Sequence, residues 1–112
     1  MPRDLEALQD MAIAAKKIRR FVEGVTSAQF MANEEKQSAV YGQLIVLGEA
    51  ANRVTPEGQA ALAHIPWRQI IGTRNRIVHG YDDIDWDIVW NIATIELPIL
   101  LSNLRSYLPV VD

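Results

Sequence analysis

The octapeptide RNRIVHGY, Arg74 to Tyr81, brings together a permanent cation, an imidazole and a phenol. A guanidinium matches phosphate, and imidazole is the side chain that gains and loses a proton near neutral pH. Cutting a phosphodiester requires those two services, and neither needs a metal. In RNA, a base takes the proton of the ribose 2′-hydroxyl, that oxygen attacks the adjacent phosphorus, and positive charge stabilises the equatorial oxygens of the phosphorane. His79 is the candidate for the first task and Arg74 for the second. The product would carry a 2′,3′-cyclic phosphate, and DNA, which lacks the hydroxyl, would be spared.

Geometry constrains this reading. Residues five apart on an ideal helix differ by about 140° in direction, so Arg74 and His79 do not converge on one straight helix. Two routes remain: His79 stands where the backbone leaves helical geometry before Gly80, or a second copy of the chain completes the site. Asn75 and Arg76 lie four and three residues before His79 and can share its face on a helix. Asn75 is therefore an auxiliary, orienting candidate, and Arg76 joins Arg74 in a basic cluster suited to binding RNA. The same residues also have a purely structural account: solvated helix cations, a histidine and glycine that end a helix, and a tyrosine at the core edge.

The elements that must hold these residues are helical. Leu5, Leu8, Ala12, Ala15, Ile18 and Val22 recur at three- and four-residue steps from an Asp4 start to a stop near Gly24. A second run starts at Ser27 or Asn33 and carries Val40, Leu44, Leu47, Ala51 and Val54, with Tyr41, Ile45 and Gly48 beside them. Pro56 and Gly58 mark a turn. Pro66 opens a third helix through Trp67, Ile70, Ile71, Ile77 and Val78 to a stop at Gly80. Asp85 is an N-cap for a last helix holding Trp86, Ile88, Val89, Ile92, Ile95, Ile99, Leu100 and Leu104, which Pro98 should kink. With no period-two pattern, the prediction is all-α: an up-and-down four-helix bundle whose surplus apolar surface is hidden by pairing into a homodimer.

Composition narrows the function further. At 112 residues the chain is one domain, residues 1–112, with room for a single core. With no cysteine, thiolate nucleophiles, disulfides and cysteine zinc sites are excluded. The opening MPRDLEALQD is acidic where a signal peptide is basic and then apolar, and no stretch reaches the roughly 20 apolar residues of a membrane span, so a cytoplasmic protein is expected. A net charge of −3 argues against a general nucleic-acid coat protein and leaves only a local basic groove. Lys16, Lys17, Arg19 and Arg20 read as cations complementing a helix end. Asp82, Asp83, Asp85 and Asp87 read as capping rather than metal-binding acids, and no metal or other cofactor is expected. His64 in ALAHIP reads as a loop-edge residue. Trp67, Trp86 and Trp90 read as core or interface anchors rather than base-stacking platforms.

Arg74, four residues, His79, one residue and Tyr81 resemble the Arg-x4-His-x-Tyr motif of the HepT toxins of the HEPN superfamily. LGEAANRV at Leu47 to Val54, the pair Pro66 and Trp67, IIGTRNRIVHGY and the segment Asp85 to Trp90 resemble that family in order and spacing. The resemblance implies a HEPN bundle, a dimeric cleft, metal-independent ribonuclease activity with Arg74 and His79 catalytic, and a toxin role in a two-gene, type VII-like module. It gives Asn75 an auxiliary role and makes Glu49 a weaker auxiliary candidate. It makes Tyr81 the hydroxyl that a cognate minimal nucleotidyltransferase antitoxin (MntA-like) modifies with AMP. Bulk and negative charge two residues past the histidine would oppose RNA. The rival reading is a non-catalytic HEPN module that binds RNA or nucleotide beside a nucleotidyltransferase. A monomeric helical adaptor is the third.

Overall fold

The first apolar stripe becomes the buried face of α1, Pro2–Val22, in a computed structural model that describes residues 2–80, 83–106 and 108. Its register differs slightly from expectation. Leu5 is 40% exposed, while Ala7, Met11 and Ala14 join Leu8, Ala12, Ala15, Ile18 and Val22 inside. The helix begins before Asp4, and the Asp4 carboxylate turns inward to accept from Thr55 N–H at 2.9 Å and Thr55 Oγ1 at 2.7 Å. That rotates the buried arc away from Leu5.

Both starts foreseen for the second run are used. Thr26 and Gln29 close a capping box over α2, Ser27–Met31, and Asn33 caps α3, Glu34–Arg53, by accepting from Lys36 N–H at 2.9 Å. Polar ties show that α3 runs antiparallel to α1. Lys36 Nζ donates to Phe21 O at 2.8 Å at one end, and Arg53 pairs with Asp10 at 2.7 Å toward the other. Thr55 then caps α4, Pro56–Ala61, whose Gly58 lies so close to Asp4 that an added Cβ would overlap the carboxylate.

The third leg is where the structure departs most from the expected bundle. Instead of one helix from Pro66 to Gly80, there are two short ones, α5, Trp67–Ile71, and α6, Thr73–Ile77, meeting at Gly72. Gly72 sits at φ −88, ψ 14, off helical values, and the buried Thr73 hydroxyl donates to the carbonyls of Ile70 (2.7 Å) and Gln69 (3.1 Å). Helix α6 ends three residues before Gly80. The β-branched Val78 takes an extended conformation and forms an isolated antiparallel bridge with Ile84. Among the described residues there is no β-strand, and no helix is long and apolar enough to cross a membrane.

Asp85 caps α7, Trp86–Asn91, as expected. The helix continues through one π-helical turn, Ile92–Glu96, into α8, Leu97–Arg105. The expected effect of Pro98 is this wide turn. Leu97 N–H bonds to Ile92 O, five residues back, so the next donor in that pattern would be residue 98, aimed at Ala93 O. Proline has no N–H to give. Arg19 Nη1 donates to Ala93 O instead, at 3.5 Å. This final helix buries Val89, Ile92, Leu97, Leu100, Leu101 and Leu104, but leaves Ile95 59% and Ile99 61% exposed one turn apart.

Candidate functional site

On α6, Arg74 and Arg76 are two residues apart, about 200° in direction, so they face opposite ways. Arg76 turns toward the final helix, where Nη1 and Nη2 donate to Glu96 Oε1 and Oε2 at 3.0 and 2.7 Å. This two-pronged bond holds the guanidinium proton more tightly, outweighing the opposing effect of partial burial. A raised pKa means that the pair's contribution from the arginine side is fully present at every pH below the ordinary guanidinium range. Arg76 is expected from the sequence to bind RNA. The structure engages it with Glu96, twenty residues on.

Arg74 is exposed, and its side chain makes no hydrogen bond or ion pair among the described residues. It lines a groove of about 220 Å³ between α3 and α6, with Glu49, Asn52, Gly48 and Thr73 around it. The fold therefore brings Arg74 and Glu49 together from distant parts of the chain. A free guanidinium at an open groove is the arrangement an incoming phosphate requires.

His79 stands two residues past the end of α6. Its backbone N–H donates to Asp83 O at 2.8 Å, and Asp85 N–H donates to Ile77 O at 2.7 Å, so residues 77–80 and 83–85 form a clasp between α6 and α7. Gly80 sits at φ 157, a conformation that side-chain-bearing residues rarely adopt. Of the two routes open to the motif, departure from the helix is the one seen within a single chain. That departure also breaks the expected relation with Asn75, which is exposed and makes no side-chain hydrogen bond among the described residues. His79 Nε2 instead faces Asp85 Oδ2 at 3.4 Å, while Asp85 Oδ1 accepts from Ile88 N–H at 3.2 Å. Tyr81, the expected AMP acceptor, lies outside the described residues, as does Asp82. Among the described residues, no cluster of three or more His, Asp or Glu side chains is placed to hold a metal ion.

The profile of the family "Ribonuclease HepT-like" matches residues 11–107. The chain belongs to the HepT-like ribonuclease family. It is similar to a "Probable ribonuclease HepT" of Thermococcus cleftensis, at 27% identity over 99 residues, 88% of this chain and 90% of that protein. It is also similar to two proteins of Methanocaldococcus jannaschii that carry provisional RNase names. One is 30% identical over 111 residues, 98% of this chain and 92% of its own. The other is 30% identical over 97 residues, 86% of this chain and 84% of its own. No solved structure matches the chain.

Within this HepT-like chain, two contacts were missed from the sequence. Asp85 was read only as a helix cap, and Glu96 was not singled out at all. The sequence gives no signal for Glu96, because its pairing with Arg76 depends on how two helices cross. For Asp85 a signal existed: a carboxylate that caps through one oxygen keeps a second oxygen for a neighbour.

Proposed function

We propose that this HepT-like chain is a metal-independent endoribonuclease that cuts RNA by attack of the substrate's own 2′-hydroxyl. The observation that carries the proposal is Arg74: exposed, unpaired among the described residues and set in a groove, while Arg76 is tied to Glu96. In the proposed reaction, His79 takes the 2′ proton, the O2′ to phosphorus bond forms, the phosphorus to O5′ bond breaks, and Arg74 neutralises the charge gathered on the equatorial oxygens. The 5′-oxygen must then receive a proton. In a homodimer that closes its cleft around two copies of the motif, the second His79 supplies it. The exposed Ile95 and Ile99 support such pairing, since apolar side chains one turn apart favour burial against another surface. Glu49 and Asn75 serve as auxiliary groups at the substrate's edge, and Arg76 supports the motif helix from behind.

The biological setting proposed is that of a toxin in a type VII-like module, held silent by a minimal nucleotidyltransferase antitoxin. In that silencing step the Tyr81 phenol attacks the α-phosphorus of ATP, pyrophosphate leaves, and the phenolic proton passes to solvent. The AMP adduct would place its phosphate beside His79, repelling the RNA backbone.

The test is cleavage of total RNA by unmodified protein in excess EDTA, with analysis of product ends, alongside Arg74→Ala and His79→Ala. Cleavage leaving 2′,3′-cyclic phosphates, and lost in both folded variants, is the expected result. If a folded protein whose intact mass excludes AMP leaves RNA uncut, the non-catalytic binding module replaces this reading.

A further inference from the structure

We infer that Asp85 is a positioning residue for His79. It would hold the ring in the tautomer with the proton on Nε2 and leave Nδ1 as the atom that takes the 2′ proton. The inference rests on the proposed ribonuclease role of His79 and adds to it a residue and an atom.

The geometry runs through both carboxylate oxygens. Oδ1 accepts from the Ile88 backbone N–H at 3.2 Å, which fixes the carboxylate at the start of α7. Oδ2 faces His79 Nε2 at 3.4 Å. An ionised carboxylate has lone pairs and no proton to donate, so the partner nitrogen must carry the hydrogen. In the neutral ring the free lone pair then belongs to Nδ1, the only nitrogen that can act as a base.

Three further contacts keep the two side chains in register. Asp85 N–H donates to Ile77 O at 2.7 Å, and His79 N–H donates to Asp83 O at 2.8 Å. Val78 bridges Ile84 between them. Beyond Asp85, Trp86 is wedged against Phe30 and Tyr41, with ring centroids 6.2 and 6.3 Å away. The carboxylate therefore stands on a helix start whose first residue is anchored by aromatic packing. His79 itself is half exposed, with 50% of its side chain accessible. A ring so open has no packing to fix its orientation, and a hydrogen-bonding partner is the remaining means.

The discriminating substitution is Asp85→Asn. Asparagine caps helices about as well as aspartate, so α7 keeps its start. Its amide can present N–H to Nε2, which would favour the opposite tautomer. The expected result is a fall in kcat of about tenfold or more with KM within about twofold, the size typical of a lost orienting partner. In ring-¹⁵N-labelled protein, the wild-type Nδ1 of His79 should give the unprotonated signal, and Asp85→Asn should move population to the Nδ1–H form. His79→Ala identifies the resonance, and Asp85→Ser, which caps without reaching the ring, should fall in kcat as well.

A purely structural aspartate would leave the ring spectrum unmoved. An Asp85→Asn protein with wild-type kcat beside an inactive His79→Ala overturns this inference and leaves the ribonuclease reading standing. A fully active His79→Ala overturns the catalytic role of His79 and that of Asp85 with it. A wild-type ring with its proton on Nδ1 overturns the tautomer assignment whatever the kinetics.

Discussion

Replacing Arg74 and Arg76 in turn should give opposite results, although the two lie on one turn of one short helix. The Arg74 side chain has no partner among the described residues, so Arg74→Ala should leave stability within about 0.5 kcal/mol of the parent, as for other exposed sites. Its loss from the transition state should be severe. Removing one donor from a developing oxyanion typically costs on the order of 10²–10³ in kcat, about 2.7–4 kcal/mol. Arg74→Lys keeps the charge without the fork and should fall between. Arg76 makes a two-pronged bond to Glu96 with side chains 31% and 41% accessible. Solvent screening holds such a pair to about 1 kcal/mol or less, even with good geometry. With an unfolding entropy of about 2.1 cal/mol/K per residue, 1 kcal/mol corresponds to about 4 °C in Tm for a chain of 112 residues. Arg76→Met, which keeps the aliphatic stem, should therefore lower Tm by about 4 °C or less and cut kcat far less than Arg74→Ala. Thermal melts and initial rates of RNA cleavage on the same preparations measure both effects. A folded Arg74→Ala that cleaves at the parental rate would refute the reasoning, as would an Arg76→Met of unchanged Tm and no activity.

Three further outcomes follow from contacts outside the motif. Asp4 is only 3% exposed and bonds to both Thr55 N–H and Oγ1, so Asp4→Ala should cost about 2–4 kcal/mol in urea unfolding by stranding two donors. A midpoint within error of the parent would show that the buried carboxylate does not hold α1 to α4. Arg19→Ala should destabilise the parent by about 1 kcal/mol, because it leaves Ala93 O without its donor, and should cost less in a Pro98→Ala background where the backbone regains an N–H. Additive costs in that double-mutant cycle would contradict this account of the π-turn. Ile95→Glu combined with Ile99→Glu should convert the proposed homodimer to monomer in analytical ultracentrifugation with little change in Tm. An unchanged sedimentation coefficient would place the pairing surface elsewhere.

The legible part of this fold was the part governed by local periodicity. Val40, Leu44, Leu47 and Ala51 lie buried on α3 with Val54 buried at its C-cap, Asn33 stands at one of the two expected starts, and Asp85 caps the helix it was expected to cap. These features were visible because a three- and four-residue stripe, and a side-chain oxygen three residues ahead of an orphan N–H, are decided within one turn. The third leg was misjudged for the converse reason. Read alone, Trp67 to Val78 satisfies the helical pattern, and only the pairing of Val78 with Ile84 across the clasp makes an extended conformation better than one more helical turn. The same limit hid the polar partners. Arg76 and Arg74 are chemically identical in the sequence, and which of their side chains is free depends on where the π-turn that precedes Pro98 places Glu96, its last residue.

That dependence links the fold to the proposed chemistry. Had α6 continued as an unbroken helix to Gly80, Asn75 would lie one turn behind His79, and the ring would take its orientation from an amide on the same helix. Ending α6 at Ile77 releases His79 from that face and sets it against Asp85, a residue already fixed by the start of α7. The direction of Arg74 is then set by α6, which Arg76 ties to Glu96, and that of His79 by the start of the next helix. The two groups that would meet one phosphate in the proposed reaction are thus positioned by separate supports. Gly80 should be sensitive on these grounds, since its φ of 157 lies inside the clasp. Gly80→Ala should lower stability by about 1–3 kcal/mol, the usual strain of a side chain forced into such backbone. It should also lower kcat more than Gly42→Ala, a change on an exposed face of α3 where an added Cβ meets nothing. Equal kcat values for the two variants, measured well below both melting temperatures, would mean that the clasp does not set the histidine.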